Sequence, residues 1–446
     1  MADYLDHLCE FLCEADFDAL PDTVHQRAAL VTADTIAAIV AGSDEPEMRA
    51  LTGSMLNTST GNASVLGTGL RAGADVAGFL NGSAGTFLEL DEGNRFSRGH
   101  PAVHVLPALL GAAETAKTTG REFLHALILG YEVSARIGIG AKLRASTHPH
   151  GTWGTVGAAV AVARLARANQ AQMREVINVS ASLGLANSAQ SMYEGALVRN
   201  TFAGFSARAG LTAWQLVLAG FNGEKDCLSS IWGEVLSDNW RKDALTANLG
   251  TTWEITRNYF KLHACCRYNH AALDALGKIH ARHELVAAEV QRVEVTTYSL
   301  AASLSEPAPK NTLAGKFSVP FSIATTIVNG SSGIRSFAWD AIQNEAVKEL
   351  ATRVTVREDL DMTALLPDLR PAHVTVVLKD GTVLEASTQT NRGDFEDPYE
   401  PDEIKLKFLD LTTRIWSVET AEALWQRLRV MEQLRDVNEV TRPLDT

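Results

Sequence analysis

The hydrophobic periodicity of the chain changes once, after about residue 270, and this change limits the fold more than any other feature. Before it, apolar residues recur at helical spacing in several segments: residues 22–42, 121–137, 155–168 and 207–219. In the first segment, Thr23 and Gln26 have the spacing of a capping box, and Gly42 is expected to end the helix. The first two-thirds of the chain are therefore predicted to consist of successive helices.

After residue 270 the pattern becomes mixed, because short alternating segments appear between helical ones. Asp380 and Gly381 supply the tight turn of a predicted hairpin. The predicted strands are Val290–Tyr298, Arg353–Glu358, His373–Leu378 and Thr382–Ser387, and the predicted helices are 317–328, 339–350 and 418–434. We therefore predict a mainly α fold with an α+β part, in which a helical body (residues 1–268 and 403–446) is interrupted by a smaller α+β domain (residues 269–402).

Charge and cysteine content exclude several classes of function. The formal net charge is -13, which argues against nucleic acid because phosphate contacts need a basic surface. An anionic substrate would need a local pocket where Arg, Lys and His side chains converge. The five cysteines are odd in number and include the adjacent pair Cys265 and Cys266, so we expect a reducing, cytoplasmic setting. The acidic start lacks signal-peptide features, and no apolar stretch is long enough to span a membrane.

The first candidate site is a group of ionisable residues that follows an apolar, glycine-containing segment. It contains Glu89, Asp91, Glu92, Arg95, Arg98, His100 and His104. Acidic, basic and imidazole groups on one loop between helices could present both a proton carrier and side chains that bind carboxylates. A solvated loop whose charges pair with one another is the alternative interpretation.

The second candidate site surrounds Gly151, at the start of a helix predicted near Thr155. A helix N-terminus favours an anion, and His148 or His150 could act there as acid or base near neutral pH. The alternative is a capping loop with surface histidines.

The third candidate site is Lys261 together with Arg267, Tyr268 and His270. A lysine beside apolar residues is a candidate general base, because burial favours its neutral amine; an ordinary surface lysine is the alternative. The adjacent cysteines lack the two-residue gap of a zinc knuckle, so no metal site is expected.

These segments together resemble the MmgE/PrpD family almost from end to end. The stretches that carry the resemblance include FLNGSAGTFLELDEGN, GHPAVHVLPALLGAAE, GYEVSARIG, THPHGTWGTVGAAVAVARL and KLHACCRYNHAALDAL. The resemblance implies a helical domain built from both chain ends, an inserted α+β lid, a homodimer and an active site in the cleft between the domains. By position, the family's site residues fall on Glu89, Asp91, His100, His148 and Lys261.

Members of this family include 2-methylcitrate dehydratase, cis-aconitate decarboxylase and iminodisuccinate epimerase. The chain departs from the family's pattern where Gly93 replaces a threonine, Phe321 a tyrosine and Arg199 a lysine. Arginine substitutes a permanent, bidentate carboxylate binder for a titratable amine. A site that gains a fixed clamp and loses hydroxyl donors is expected to take a substrate with more carboxylates and no leaving hydroxyl.

We therefore expect a cofactor-independent epimerase that removes and returns a proton next to a carboxylate of a polycarboxylate such as iminodisuccinate. The alternatives are a lyase, similar to 2-methylcitrate dehydratase or cis-aconitate decarboxylase, and a non-catalytic helical binding protein. Lys261 is the expected base for one face, and His148 or His100 the base for the other. The expected substrate-binding residues are Arg199, Arg267, Glu89, Asp91, His150, Arg95 and Arg98. No metal, nucleic acid or membrane partner is implied.

Overall fold

The computed structural model describes residues 3–444 and begins with a large group of packed helices. The helices of this group are α1 (Tyr4–Glu14), α2 (Asp22–Ser43), α3 (Pro46–Leu56), α4 (Ala74–Gly85), α5 (Pro101–Ala116), α6 (Gly120–Gly140), α7 (Trp153–Leu165), α8 (Gln170–Ser182), α9 (Gln190–Tyr193) and α10 (Phe202–Leu218). Helix α7 packs against α5, α6 and α10, so the chain's small residues lie at close helix contacts. Short strand pairs join the loops: β1 (Ala63–Val65) with β2 (Leu70–Ala72), β3 (Gly93–Asn94) with β6 (Asn258–Tyr259), and β4 (Ala141–Leu143) with β5 (Ser237–Trp240).

The second part of the chain forms a four-stranded sheet covered by helices. Its strands are β7 (Val290–Thr297), β8 (Val354–Glu358), β9 (Ala372–Leu378) and β10 (Val383–Thr388), in the order β10-β9-β7-β8. Only the β7–β8 pair is parallel. The accompanying helices are α11 (Arg267–His280), α12 (Ser299–Ala302), α13 (Thr312–Lys316), α14 (Val319–Asn329), α15 (Trp339–Gln343), α16 (Glu345–Ala351) and α17 (Leu360–Ala364).

The last helices return to the first group: α18 (Pro401–Thr412), α19 (Val418–Arg429) and α20 (Asn438–Thr441). Both α18 and α19 pack against α2, whose residues from Val31 to Ser43 are all buried. An ion pair inside this contact joins Lys407 Nζ on α18 to Asp34 Oδ1 on α2 at 2.6 Å. The two ends of the chain thus contribute to one helical core.

The mainly α fold with an α+β part is confirmed, as are the predicted strands and the hairpin at Asp380 and Gly381. Three details were wrong. Helix α2 begins at Asp22 after Pro21 and has no side-chain cap, so Thr23 and Gln26 form no capping box. The helix predicted for residues 339–350 is two helices, because the Asn344 side chain caps a new start at that point. The last long helix ends at Arg429 and continues only as a 3-10 turn.

The proposed domain division cuts at 268/269 and 402/403, and both positions fall one or two residues inside helices, α11 and α18. We propose that the boundaries lie in the loops just before these helices. Among residues 3–444, no helix has both the length and the apolar character that a membrane span requires.

Candidate active site

A cavity of about 80 Å³ lies where the loop between α4 and α5 meets the segment that leads into α11. This volume holds only a few water molecules, so the lining side chains lie close together. The lining residues are Glu89, Arg98, His100, His148, Pro149, His150, Met192, Arg199, Tyr259, Cys266, Arg267, Tyr268, Phe317 and Arg370.

The loop between α4 and α5 is charged but buried. Glu89, Asp91, Glu92 and Arg95 are each at most 3% exposed, which contradicts the alternative of a solvated loop. Glu92 fixes the loop, because Oε1 accepts the backbone N–H of Ala102 and Oε2 accepts the hydroxyl of Tyr131, both at 2.9 Å. Burial raises the pKa of Glu92 to about 8, so this carboxyl is suited to an internal hydrogen bond rather than to a free charge.

Glu89 joins two cations at the wall of the cavity. It has a left-handed backbone (φ 55°), and its Oε1 forms a very short ion pair with Nη1 of Arg199. Its Oε2 lies 3.7 Å from Nζ of Lys261. That amine also donates to the Glu89 carbonyl at 3.1 Å and lies 3.7 Å from Asp91 Oδ1. At 3.7 Å each carboxylate forms an ion pair with the ammonium but no hydrogen bond, so among these three groups only the Glu89 carbonyl accepts a hydrogen bond from it.

Asp91 connects Lys261 to His100. Its Oδ2 lies 3.0 Å from Nδ1 of His100, and the same nitrogen lies 2.7 Å from the Glu92 carbonyl. Two oxygen acceptors around Nδ1 require that this nitrogen carries the proton, which leaves Nε2 as the basic atom of a ring on the cavity wall. Burial works against ionisation of Asp91, but the nearby His100 and Lys261 outweigh it and hold the pKa of this carboxyl well below its usual value.

Four histidine rings pack edge to face in this region, with His150 in the centre. Its ring centroid lies 5.0 Å from those of His100 and His104 and 4.8 Å from that of His148. His104 donates from Nδ1 to the carbonyl of His100 at 2.7 Å. Burial lowers the pKa of His104 to about 4 and holds those of His148 and His150 well below the usual value, with the charge of Arg199 adding to both.

His148 is constrained on both ring nitrogens. Nδ1 accepts the backbone N–H of His150 at 3.1 Å, and Nε2 faces the Nε–H of Arg199 at 3.3 Å. A neutral imidazole has one N–H, so only one of these two nitrogens can accept, and an imidazolium would direct its two N–H groups at a backbone N–H and at a permanent cation. His148 is therefore better suited to orient Arg199, whereas His100, backed by Asp91, is better suited to exchange protons.

Three arginines meet at the part of the cavity nearest the four-stranded sheet. Arg267 donates to Asp394 Oδ1 at 2.9 Å, and Arg95 lies 3.4 Å from Asp394 Oδ2 and also pairs with Glu396. Arg370, in the loop before β9, is 3% exposed and donates from Nη2 to the carbonyl of Arg95 at 3.2 Å. Two carboxylates thus accompany three guanidinium groups.

Seven of the ten site residues predicted from sequence line the cavity: Glu89, Arg98, His100, His148, His150, Arg199 and Arg267. Asp91 and Lys261 lie behind Glu89, and Arg95 lies behind the wall with Glu396 and Asp394. Arg98 is exposed at the rim. The histidines at 148 and 150 are buried, so the alternative of surface histidines was wrong, as was that of a surface lysine at 261.

Sequence reasoning missed Tyr259, Phe317 and Arg370 as lining residues. Arg370 follows Asp368 in a short polar turn between apolar segments, which gives no signal of burial. Lys407 and Asp34 were also missed; their ion pair lies beneath the loop, and Lys407 donates to the carbonyl of Leu90 at 2.6 Å. The available signal was an acidic residue, Asp34, as the one charge within the apolar run of residues 28–42.

The cysteines beside the cavity are suited to packing. All five cysteines are free thiols, and burial raises the pKa of Cys266 to about 11 and that of Cys265 still further. Within residues 3–444, no group of three or more His, Cys, Asp or Glu side chains is arranged to hold a metal ion.

The comparisons with known proteins fit this arrangement of the chain. The model of the MmgE/PrpD N-terminal domain matches residues 6–238, and that of the MmgE/PrpD C-terminal domain matches residues 263–433. A cis-aconitate decarboxylase-like protein of Aspergillus oryzae is 26% identical over 97% of this chain and 95% of its own length. The cis-aconitate decarboxylases of Aspergillus terreus and Homo sapiens are each 24% identical; the alignments cover 97% and 95% of this chain, and 94% and 90% of theirs.

Proposed function

The chain belongs to the MmgE/PrpD family, and from this premise we propose that it is an epimerase that needs no cofactor and acts on a small polycarboxylate such as iminodisuccinate. In this reaction a base removes the proton from a carbon next to a carboxylate. An acid then returns a proton to the opposite face of that carbon. No electron is gained or lost, so the chemistry requires only two proton carriers and cations that stabilise the carbanion.

The observation that carries the proposal is the contact of Asp91 with both proton carriers. Its Oδ2 lies 3.0 Å from His100 Nδ1, and its Oδ1 lies 3.7 Å from Lys261 Nζ. One turnover leaves the first carrier with an extra proton and the second with one too few. A carboxylate beside both carriers stabilises whichever of them is charged, so it supports the resetting of the pair.

We assign one face to Lys261 and the other to His100 rather than His148. Lys261 lies behind Glu89, and its side chain must rotate to act on a substrate, which requires the loss of one hydrogen bond to a backbone carbonyl and a change in its ion pairs with Glu89 and Asp91. His100 already lines the cavity, with Asp91 behind it. His148 holds Arg199, whose permanent charge opposes a protonated imidazole at that position.

The charges of the cavity suit a substrate with several carboxylates. Arg199 and Arg267 line it, and each is also in contact with a carboxylate of the protein, Glu89 and Asp394 respectively. Iminodisuccinate carries four carboxylates and two stereocentres, each next to a carboxylate. Cations close to those carboxylates stabilise the enolate-like carbanion that proton removal produces.

A lyase reaction is the second candidate, and the names of the relatives favour it. Each of the three relatives described above is named a cis-aconitate decarboxylase or a protein like one. Decarboxylation also passes through a carbanion but needs only one returned proton, which His100 alone could supply. Dehydration of a 2-methylcitrate-like acid would need in addition an acid that protonates the leaving hydroxyl.

Proton NMR of the purified enzyme in D2O distinguishes these reactions. With iminodisuccinate, we expect deuterium to enter at the carbon next to the carboxylate, together with interconversion of the diastereomers and no new product. Absence of exchange would remove the epimerase proposal. A new vinyl signal with cis-aconitate or 2-methylcitrate would instead establish a lyase. The homodimer and the cytoplasmic location remain predictions.

A further inference from the structure

Arg370 differs from the other buried arginines of the cavity in what surrounds its guanidinium group. Its Nη2 donates to the backbone carbonyl of Arg95, and its Nε has no hydrogen-bond partner, a feature that it shares with Arg95 and Arg267. Its other close neighbour is an aromatic ring, since the guanidinium carbon lies 5.4 Å from the centroid of Tyr268. Among residues 3–444, no carboxylate oxygen lies within 4 Å of Arg370.

The neighbouring Arg267 has protein partners on both terminal nitrogens, and only its Nε lacks one. Its Nη1 contacts the carbonyl of Phe260 and Nδ1 of His270, and its Nη2 contacts the carbonyl of Arg392 and Asp394 Oδ1. A carboxylate that bound Arg267 would have to displace one of these partners. Arg370 has one such contact, so most of its N–H donors remain available.

A buried cation without a counter-ion is costly, because the interior does not replace the hydration of the charge. Arginine stays charged at any relevant pH, so it cannot avoid this cost by losing a proton. Asp394, the nearest acidic residue on this side, is already in contact with both Arg267 and Arg95. Asp394 attracts Arg370 from a longer distance but forms no ion pair with it, so an anion that enters the cavity would be the first direct counter-ion of Arg370 among residues 3–444.

We propose that Arg370 binds a carboxylate of the substrate that takes no part in the proton transfer, and that this contact selects substrates with three or more carboxylates. The inference rests on the proposed function, because it assigns a subsite within the same cavity. It is separate from the proton-transfer group: Arg370 shares no ion-pair partner with Arg199 or Lys261, whose partners are Glu89 and Asp91. It also makes a residue of the sheet-containing part of the chain contribute to recognition in a cavity otherwise lined mainly by residues 89–268.

The test compares the binding of two unreactive acids to the full-length protein by isothermal titration calorimetry. Tricarballylate carries three carboxylates, and succinate is the same skeleton without one carboxymethyl arm. The unaltered protein should bind tricarballylate more tightly. Arg370→Met should weaken the binding of tricarballylate about tenfold or more and that of succinate less than about threefold, because only tricarballylate loses a charge-assisted contact. Arg357→Met, on the solvent-exposed end of β8, is the matched control and should change neither.

Arg370→Lys guards against a folding defect in the methionine variant. Lysine keeps the charge but lacks the planar guanidinium group. We therefore expect an intermediate loss of affinity for tricarballylate, no loss of affinity for succinate, and an unaltered circular dichroism spectrum. Equal weakening of both acids, an unchanged preference in Arg370→Met, or no binding of tricarballylate by the unaltered protein would overturn the inference. Because binding is read without turnover, this result is independent of whether iminodisuccinate is epimerised.

Discussion

The two ends of the cavity contain similar residues but balance their charges differently. At the first end, which we call the proton-transfer end, Glu89 and Asp91 accompany Arg199, Lys261 and the imidazole of His100. At the second, the arginine end, Asp394 and Glu396 accompany Arg95 and Arg267 and leave Arg370 without an ion-pair partner in residues 3–444. The first end is nearly neutral without a ligand, and the second has an uncompensated positive charge.

This difference separates two tasks that a polycarboxylate enzyme must perform. Proton transfer needs groups whose charge can change without a large cost, which a balanced network provides. Holding a substrate anion needs a fixed charge that the protein itself has not neutralised. If the two tasks are divided between the two ends, a substitution at one end should impair its own task and leave the other task largely intact.

The largest expected effect follows from Lys261→Met. Methionine fills a similar unbranched space and removes the amine that pairs with both Asp91 and Glu89, so turnover should fall at least about a thousandfold, within the range for loss of a proton carrier. The measurement is the initial rate of deuterium exchange, with the thermal midpoint as a check on folding. Lys348→Met, at an exposed ion pair, is the matched control. A near-normal kcat in Lys261→Met would exclude Lys261 as a proton carrier.

The next effect distinguishes the two histidines. His100→Gln removes the basic nitrogen that Asp91 supports, so kcat should fall about a hundredfold or more. In His148→Gln, kcat/KM should fall about tenfold, mainly because KM rises. This substitution removes a contact that orients Arg199 rather than a proton carrier. Both values come from the same exchange assay. A greater loss of kcat in His148→Gln than in His100→Gln would reverse the assignment.

The comparison also shows which parts could be predicted from sequence. The charged loop from Glu89 to His100 and the segment at Lys261 were identified because ionisable residues among glycines and apolar runs are unusual. The change of periodicity near residue 270 likewise predicted the sheet. The roles within the site could not be predicted in this way: whether Lys261 lies on the cavity wall or behind Glu89 depends on contacts between residues far apart in the chain.

The arginine end was predicted less well, for a physical reason. Its members are Arg95, Arg267, Arg370 and Asp394, which lie far apart in the sequence, so no single segment contains the group. In addition, an arginine is usually exposed, so its burial is not expected from sequence. Only the fold shows that Asp394 and Glu396 form ion pairs with Arg95 and Arg267 and that neither forms one with Arg370. Sequence patterns describe local exposure and periodicity, whereas a charge imbalance is a property of the assembled chain.

Acid should weaken the fold through its neutral histidines. Burial depresses the pKa values of five: His104, His125, His148, His150 and His270. Below a pH of about 6.5 these rings bind protons in the unfolded chain but not in the folded chain. The free energy of unfolding therefore decreases as the pH decreases. Glu92 and Glu132, whose pKa values burial raises to about 8 and about 7, and Asp34, whose pKa burial also raises, act in the opposite direction but are fewer.

We therefore expect the free energy of unfolding in urea to decrease from pH 7 to pH 5. His104→Gln should flatten this dependence by about one proton, or roughly 1.4 kcal/mol per pH unit at the steepest part. Three of the five rings belong to the cluster beside the proton-transfer end, so the acid sensitivity is concentrated there. Stability that rises toward pH 5, or an unchanged slope in His104→Gln, would contradict this account.

The smallest expected effect concerns Arg95, which the sequence suggested as a substrate-binding residue. Arg95 lies behind the cavity wall, with Glu396 and Asp394 as partners. In Arg95→Met, Asp394 keeps Arg267 and accepts the hydroxyl of Thr390 at 3.0 Å, so its charge remains compensated. Arg370 keeps its hydrogen bond in this variant, because the acceptor is the backbone carbonyl of residue 95 rather than its side chain.

The dissociation constant of tricarballylate in Arg95→Met should accordingly change less than about threefold, even if the thermal midpoint falls because a buried ion pair is lost. Calorimetry of Arg95→Met and Arg370→Met under the same conditions measures the contrast directly. Two arginines whose side chains belong to one cluster would then differ in ligand binding because one has carboxylate partners in the protein and the other lacks them. A loss in Arg95→Met as large as that in Arg370→Met would mean that the whole cluster, rather than its one unpaired cation, attracts the substrate.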